Sequence, residues 1–268
     1  MTDLSRWALA SCLGWLLAVC LSGAAGAVVV EDPLDAVAEG LRPSLAEDIG
    51  QALAGAQTLH ERLSAHDLEG ARKAWIAARV GWERAEVFTG GFVPDLDEKI
   101  DSWPNARTGF HAIEARLFGA AEADMATEAN TLVFYLTDLD IKVRDAPMSA
   151  QRVLTGTARL AYEVGEDKAD GGESRFSGTS LDDMRNNLIG IESAYDIVFA
   201  AAVAHADSAL DKTIRAQIDQ LKTLLDAPDL KTIDSTKLRA VSEALVLSLR
   251  SAAPKLGLLA PTLEQLSQ

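Results

Sequence analysis

From about residue 28 onward, hydrophobic positions recur along this chain at helical spacing. Leu45, Ile49, Leu53, Ala56, Leu59 and Leu63 fall three or four apart, which puts them on one face of a helix opened by Pro43-Ser44. Ala74, Ile76, Val80, Trp82 and Val87 predict a second helix from about Leu68 to Phe88. Trp75 and Trp82 are seven apart, share a face, and read as core. A third helix is expected over roughly Ala106 to Phe118. A fourth, near Glu122 to Val143, turns Leu132, Leu136, Leu139 and Val143 inward. Pro147-Met148-Ser149 marks a boundary, after which a helix over about Ala150 to Val164 leads into a polar loop, Gly165 to Thr179. Ser180-Leu181-Asp182-Asp183 reads as a variant capping box, with Ser180 as cap and Asp183 three residues on. That helix is expected to reach about Ala204, with two more near Ser208–Leu225 and Thr236–Ala253.

No stretch alternates for long as a strand does, so the fold class is all-α. The Pro147 boundary divides it into an N-terminal bundle, 28–147, and a C-terminal bundle, 148–268. Each is expected as an up-down four-helix bundle in a bilobed whole, with ligand sites between the lobes. Gly81-Trp82-Glu83-Arg84-Ala85 is echoed by Gly190-Ile191-Glu192-Ser193-Ala194, which fits an internal duplication.

The helical pattern lapses over 89–104, read as an irregular acidic connection that Gly90-Gly91 and Pro94 allow to turn. Acids gather around it: Glu83 and Glu86, then Asp95, Asp97, Glu98 and Asp101, then Glu114 three residues after His111. Helical residues three apart are neighbours, about 5–6 Å at Cβ, so Glu83/Glu86 and His111/Glu114 each form a ligand pair. Facing helices with such pairs are how bundle proteins build iron and manganese sites. The same spacing also suits solvated acids on a helix surface, and spacing alone does not separate the two. Trp103, beside the acids, is a candidate to line a cleft, and Arg175 a candidate to pair with the cluster. His60, His66 and His205 read as polar-face residues.

Charge and length narrow the picture. The 268 residues carry a net charge of −15, which argues against nucleic acid and anionic membrane as partners. Residues 1–27 read as a cleavable signal peptide: Arg6, the apolar run Trp7 to Leu21, then Ala25-Gly26-Ala27. A soluble periplasmic monomer is expected. Leu17-Ala18-Val19-Cys20 resembles a lipoprotein box, but Val19 is large for its position. Both cysteines, Cys12 and Cys20, lie in this segment, so the mature chain would have no thiolate chemistry. Hard carboxylate oxygens with one imidazole suit Fe³⁺, Fe²⁺ or Mn²⁺ better than soft metals, and leave other divalent metals open.

The order W-E-x-x-E (Trp82 to Glu86), D-x-D-x-x-I-D (Asp95 to Asp101) and G-F-H-x-I-E-x-x-L-F (Gly109 to Phe118) resembles the imelysin-like domain of EfeO-type iron-uptake proteins. Leu160 to Val164, Gly172 to Ser177 and Thr179 to Asp183 follow that family's order in the second half. The resemblance implies a bilobed helical protein that captures iron and delivers it to an inner-membrane iron permease, alongside a periplasmic haem peroxidase-like partner. It puts a metal pair at His111 and Glu114, and a second site at Glu83, Glu86 and Asp101 with Glu163 or Glu173. The chain resembles the short form, without the cupredoxin-like domain, and its Asp101-to-His111 connection is compressed. A peptidase is the enzymatic alternative, but H-E-x-x-H and a nucleophile elbow are both missing from the sequence. A third reading is binding of an acidic polysaccharide through a bridging metal. On mutual repulsion alone, replacing Glu83 and Glu86 with Gln should raise the metal-free melting temperature.

Overall fold

The computed structural model describes residues 33–103 and 106–266; the signal peptide expected over 1–27 lies outside them. After a short helix α1 (Pro33–Ala38), the first long element is α2 (Arg42–Ser64), with Pro43 in its first turn. Leu45, Ile49, Ala56, Leu59 and Leu63 are buried as their spacing requires, and Leu53 is half-buried. Asp67 caps the next helix, α3 (Leu68–Phe92), by accepting from the Gly70 amide at 2.9 Å. Trp75 and Trp82 are fully buried, and Trp75 Nε1 donates to the Phe110 carbonyl at 3.1 Å.

The Gly90-Gly91 pair does not break α3, contrary to the turn expected there. A Cβ on Gly91 would lie 2.2 Å from the Arg152 carbonyl oxygen, so the residue serves close helix packing. The acidic connection is itself largely helical: α4 spans Pro94–Asp101, with Pro94 in its first turn. Helix α5 (Gly109–Glu114) runs into a π-helical turn, Ala115–Ala120. Gly109 starts it at φ +77°, where a Cβ would sit 2.0 Å from the Ile100 carbonyl oxygen. Only glycine fits there, and this close approach sets His111 against the end of α4.

Helix α6 (Ala126–Asp145) completes the first half. Its terminal carbonyls are capped by the Arg42 guanidinium, which donates to the carbonyls of Val143, Arg144 (3.0 Å) and Ala146 (2.8 Å). The second half contains α7 (Ala150–Glu166), α8 (Ser180–Ala194), α9 (Ala200–Ala206), α10 (Ser208–Leu225), α11 (Ser235–Ala252) and a final turn α12 (Leu263–Leu266). A π-helical turn, Tyr195–Phe199, joins α8 to α9. The run Ser180–Ala206 is long and apolar enough to cross a membrane, but half of that stretch is buried in the protein.

The expected capping box at Ser180 does not form. Thr179 is the N-cap, its hydroxyl donates to Asp183 Oδ2 at 3.0 Å, and the Ser180 hydroxyl is buried without a partner. Asp183 is drawn inward by Arg79 and Ser174 instead of reaching back to the backbone.

All described elements are helical, and the fold is all-α. In the first half α2 packs on α3 and α6, with the short α4 and α5 against α6. In the second, α7, α8, α10 and α11 form a ring in which each touches the next. Helix α3 is the seam, packing on α2 from one side and on α7 and α8 from the other. Two glycines in the echoed pentapeptides do the same job in the two halves. A Cβ on Gly81 would meet the Asp48 carbonyl oxygen at 2.2 Å, and one on Gly190 would meet that of Arg84 at 2.4 Å.

Candidate metal centre

The seam brings α3, α4, α5 and the polar loop 167–179 to one buried point. Helix α3 contributes Arg79, Glu83 and Glu86; α4 ends on Asp101; α5 contributes His111 and Glu114; the loop contributes Lys168, Glu173 and Ser174. His111 stands at the centre. Its Nδ1 lies 3.1 Å from Glu114 Oε2, and its Nε2 lies 3.2 Å from Glu173 Oε1 and 3.4 Å from Asp101 Oδ1. One ligand atom each from Asp101, His111 and Glu173 fall within 4.8 Å of one another.

Asp101 and Glu114 are fixed from behind, as a ligand set requires. Asp101 Oδ2 accepts from Trp82 Nε1 at 2.6 Å, and its other oxygen is bound by Arg79. Glu114 Oε1 accepts from the amides of Phe176 (3.1 Å) and Ser177 (2.8 Å) and from the Ser177 hydroxyl (2.8 Å). Glu173 Oε2 is buried and has no hydrogen-bond partner. A free, desolvated carboxylate oxygen beside an imidazole is what a hard cation would satisfy, so the donor set fits such an ion.

The electrostatics are crowded. Glu83, Glu86, Asp101, Glu114, Glu173 and Asp183 face two permanent cations, Arg79 and Lys168, and the titratable His111. Burial opposes a charged imidazole, yet Asp101 with hydrogen bonds to Glu114 and Glu173 pushes His111 up to about 10. Burial pushes Asp101 up to about 7 against the pull of Arg79. Burial works the same way on Glu173 but is outweighed, first by Lys168 and then by His111, which hold it well below the usual carboxylate range. Glu83 and Glu86 part company. Burial would raise Glu83, but Arg79 and Lys168 lower it; burial and then the charge of Glu83 drive Glu86 well above the usual range.

Of the two sites expected, His111 and Glu114 pair as the first, and Asp101, expected in the second, lies beside His111; Glu83 and Glu86 are instead engaged by Lys168 and Asn187. Of the two second-half acids offered by the sequence, Glu173 is the one beside His111. Glu163 lies instead at the cleft wall, held by Arg159 Nε at 2.7 Å; the same guanidinium holds Asp97 at 2.8 Å. Burial pushes Glu163 up to about 7, against Arg159. Asp95 and Glu98 face solvent. Arg175 is exposed over the Phe176 ring, 4.7 Å from its centroid, and does not serve the cluster; Arg79 and Lys168 do. Neither stood out in the sequence, although Arg79, four residues before Glu83, is at a spacing that pairs charges along a helix.

Two cavities reach the cluster. A cleft of about 1350 Å³ is lined by Glu86, Asp101, Glu163, Lys168 and Glu173, and a smaller one of about 360 Å³ by His111, Glu114 and Glu173. Trp103 lines both.

An all-helical fold with a buried carboxylate–imidazole cluster beside helix α3 defines the class. The chain belongs to the imelysin family, whose sequence profile matches residues 41–108 and 105–256. Among relatives, it is 28% identical over 185 residues to an Efem/EfeO family lipoprotein of Staphylococcus haemolyticus, covering 65% of this chain and 64% of that one. It is 29% identical over 178 residues to the iron uptake system component EfeM of Pseudomonas syringae, covering 63% of this chain and 62% of that one. The chain thus spans a little under two thirds of these relatives' length. A crystal structure of a putative iron-regulated protein A precursor from Parabacteroides distasonis shares the fold, with TM-score 0.67 and 20% identity over 87% of this chain and 97% of that one.

Proposed function

We propose that this protein is an exported, periplasmic iron-binding component of an uptake system, which captures iron at the Asp101–His111–Glu173 centre. The observation that carries the reading is the convergence of those three ligand atoms, with Glu173 Oε2 buried and unpartnered beside them. The names borne by the relatives from Pseudomonas and Staphylococcus support iron as the cargo and export as the route. Delivery to an inner-membrane iron permease, with a haem peroxidase-like protein as co-worker, is part of the same proposal. The family's peptidase name has less support from the site. Both His111 nitrogens are engaged by carboxylates, which leaves neither directed at a nucleophile.

Calorimetric titration of the protein with Fe³⁺, Fe²⁺, Mn²⁺ and Zn²⁺ tests the reading. His111→Ala with Glu173→Gln should abolish high-affinity binding while leaving the helical circular dichroism intact. If affinity and stoichiometry survive both substitutions, this centre does not hold the metal.

A further inference from the structure

The sequence offers acids for two metal sites, and the fold treats them differently. Around Asp101, His111 and Glu173 a carboxylate oxygen is left without a partner. Around Glu83 and Glu86 the carboxylates are met by cations and an amide of the protein: Glu83 Oε1, though without a hydrogen bond, is ion-paired with Arg79 Nη2. Lys168 Nζ lies 2.6 Å from Glu83 Oε2, 3.3 Å from Glu86 Oε2 and 3.5 Å from Glu173 Oε1. The ammonium, with three donors and no acceptor, hydrogen-bonds to Glu83 and Glu86 and forms an ion pair with Glu173. The Asn187 amide closes the remaining side, donating at 2.6 Å to both Glu83 Oε2 and Glu86 Oε2, while its own Oδ1 is buried without a partner. The position of Lys168 is built in. Its amide donates to the Glu163 carbonyl at the end of α7 (3.1 Å), its carbonyl accepts from Gly171 (3.0 Å), and only 2% of its side chain is exposed.

We propose that Lys168 is a tethered counter-cation that occupies the Glu83–Glu86 carboxylate pair, so that the protein binds one metal ion and not two. Resting on the metal-centre reading above, this assigns a specificity role to a residue that is not itself a ligand. Removing the ammonium while keeping the carboxylates opens a second site of oxygen ligands, which the Asn187 Oδ1 atom can join. A hard divalent cation is the chemistry that site would accept.

The test counts ions. Fe²⁺ is titrated anaerobically, and Mn²⁺ in parallel, into wild type, Lys168→Met and Lys168→Arg, with bound metal also counted by elemental analysis after desalting. Wild type and Lys168→Arg should bind one ion, and Lys168→Met two, the second lost again in Lys168→Met with Glu86→Gln. Two ions in the wild type, or one in a folded Lys168→Met, overturns the inference and leaves the metal-centre reading standing. No ion in the wild type overturns both. Should Lys168→Met fail to fold, the wild-type count still decides, because two ions there refute an occupied second site.

Discussion

Glu83 and Glu86 are chemically identical, three residues apart, and share the partners Lys168 and Asn187, yet their replacement by Gln should have opposite effects. Glu83 is fully buried between Arg79 and Lys168, which lower its pKa against burial. Removing one partner of a buried ion pair costs about 3–5 kcal/mol. Both cations keep other acids, Asp101 and Asp183 for Arg79 and Glu86 and Glu173 for Lys168, so the low end, about 3 kcal/mol, applies. At about 2–4 °C per kcal/mol for a domain of this size, Glu83→Gln should lower the melting temperature by roughly 6–12 °C. Burial and then the charge of Glu83 raise Glu86 well above the usual carboxylate range. A carboxyl whose charge is already disfavoured loses little when that charge is removed, so Glu86→Gln should shift stability by less than about 1 kcal/mol, upward if at all.

The pH dependence has a definite sign for each. A lowered carboxyl supplies stability above its ordinary value and loses it as pH falls, so the Glu83→Gln deficit is full at pH 7 and narrows in acid. A raised carboxyl costs stability as pH climbs, so Glu86→Gln gains on the wild type toward alkaline pH. Calorimetric melting of the metal-free proteins from pH 4 to 9 measures both. Equal losses at the two positions, or a Glu83→Gln protein that melts with the wild type, would falsify this charge assignment. The structure thus reverses, for Glu83, the gain in melting temperature expected from repulsion among acids alone, because two buried cations lie between those acids.

Metal binding at pH 7 should release protons, because His111 is pushed up to about 10 and must lose its proton to become a ligand. Titration in two buffers of different ionisation enthalpy reads the number, and zero release would exclude imidazole ligation. Gly91→Ala should destabilise by about 1–3 kcal/mol, since its Cβ would lie 2.2 Å from the Arg152 carbonyl oxygen, with no change in the number of ions bound; thermal melting and elemental analysis check the two halves of that statement.

Much of the fold was legible because periodicity reports which face of a helix is buried. Leu45 to Leu63 on α2 and Leu132 to Val143 on α6 occupy the core their spacing assigned. The glycines misled, since Gly90-Gly91 has the composition of a turn and the function of a packing contact. Sequence registers the missing side chain, but only the approach of α7 explains it. The capping box at Ser180 failed for a related reason: Asp183 had a better partner in Arg79, 104 positions away along the chain.

The candidate site was legible in its acids and not in its cations. Carboxylates in close spacing draw the eye toward a metal, but the sequence gives no measure of how much of their charge the fold has already met. Arg79 is at helical spacing from Glu83 and reads as an ordinary surface pair; burial against α8 makes it the centre of four acids. Lys168 lies in the loop that looks most solvated, yet its side chain is buried among carboxylates. Desolvated charge must be paired or neutralised, so a buried acid without a metal implies either a cation from elsewhere in the chain or a raised pKa. With those two cations in place, what singles out the surroundings of His111 is geometry: Asp101, His111 and Glu173 bring one ligand atom each within 4.8 Å of one another, and Glu173 Oε2 is buried without a hydrogen-bond partner. That convergence, and not the raw count of carboxylates, is what places the proposed ion there.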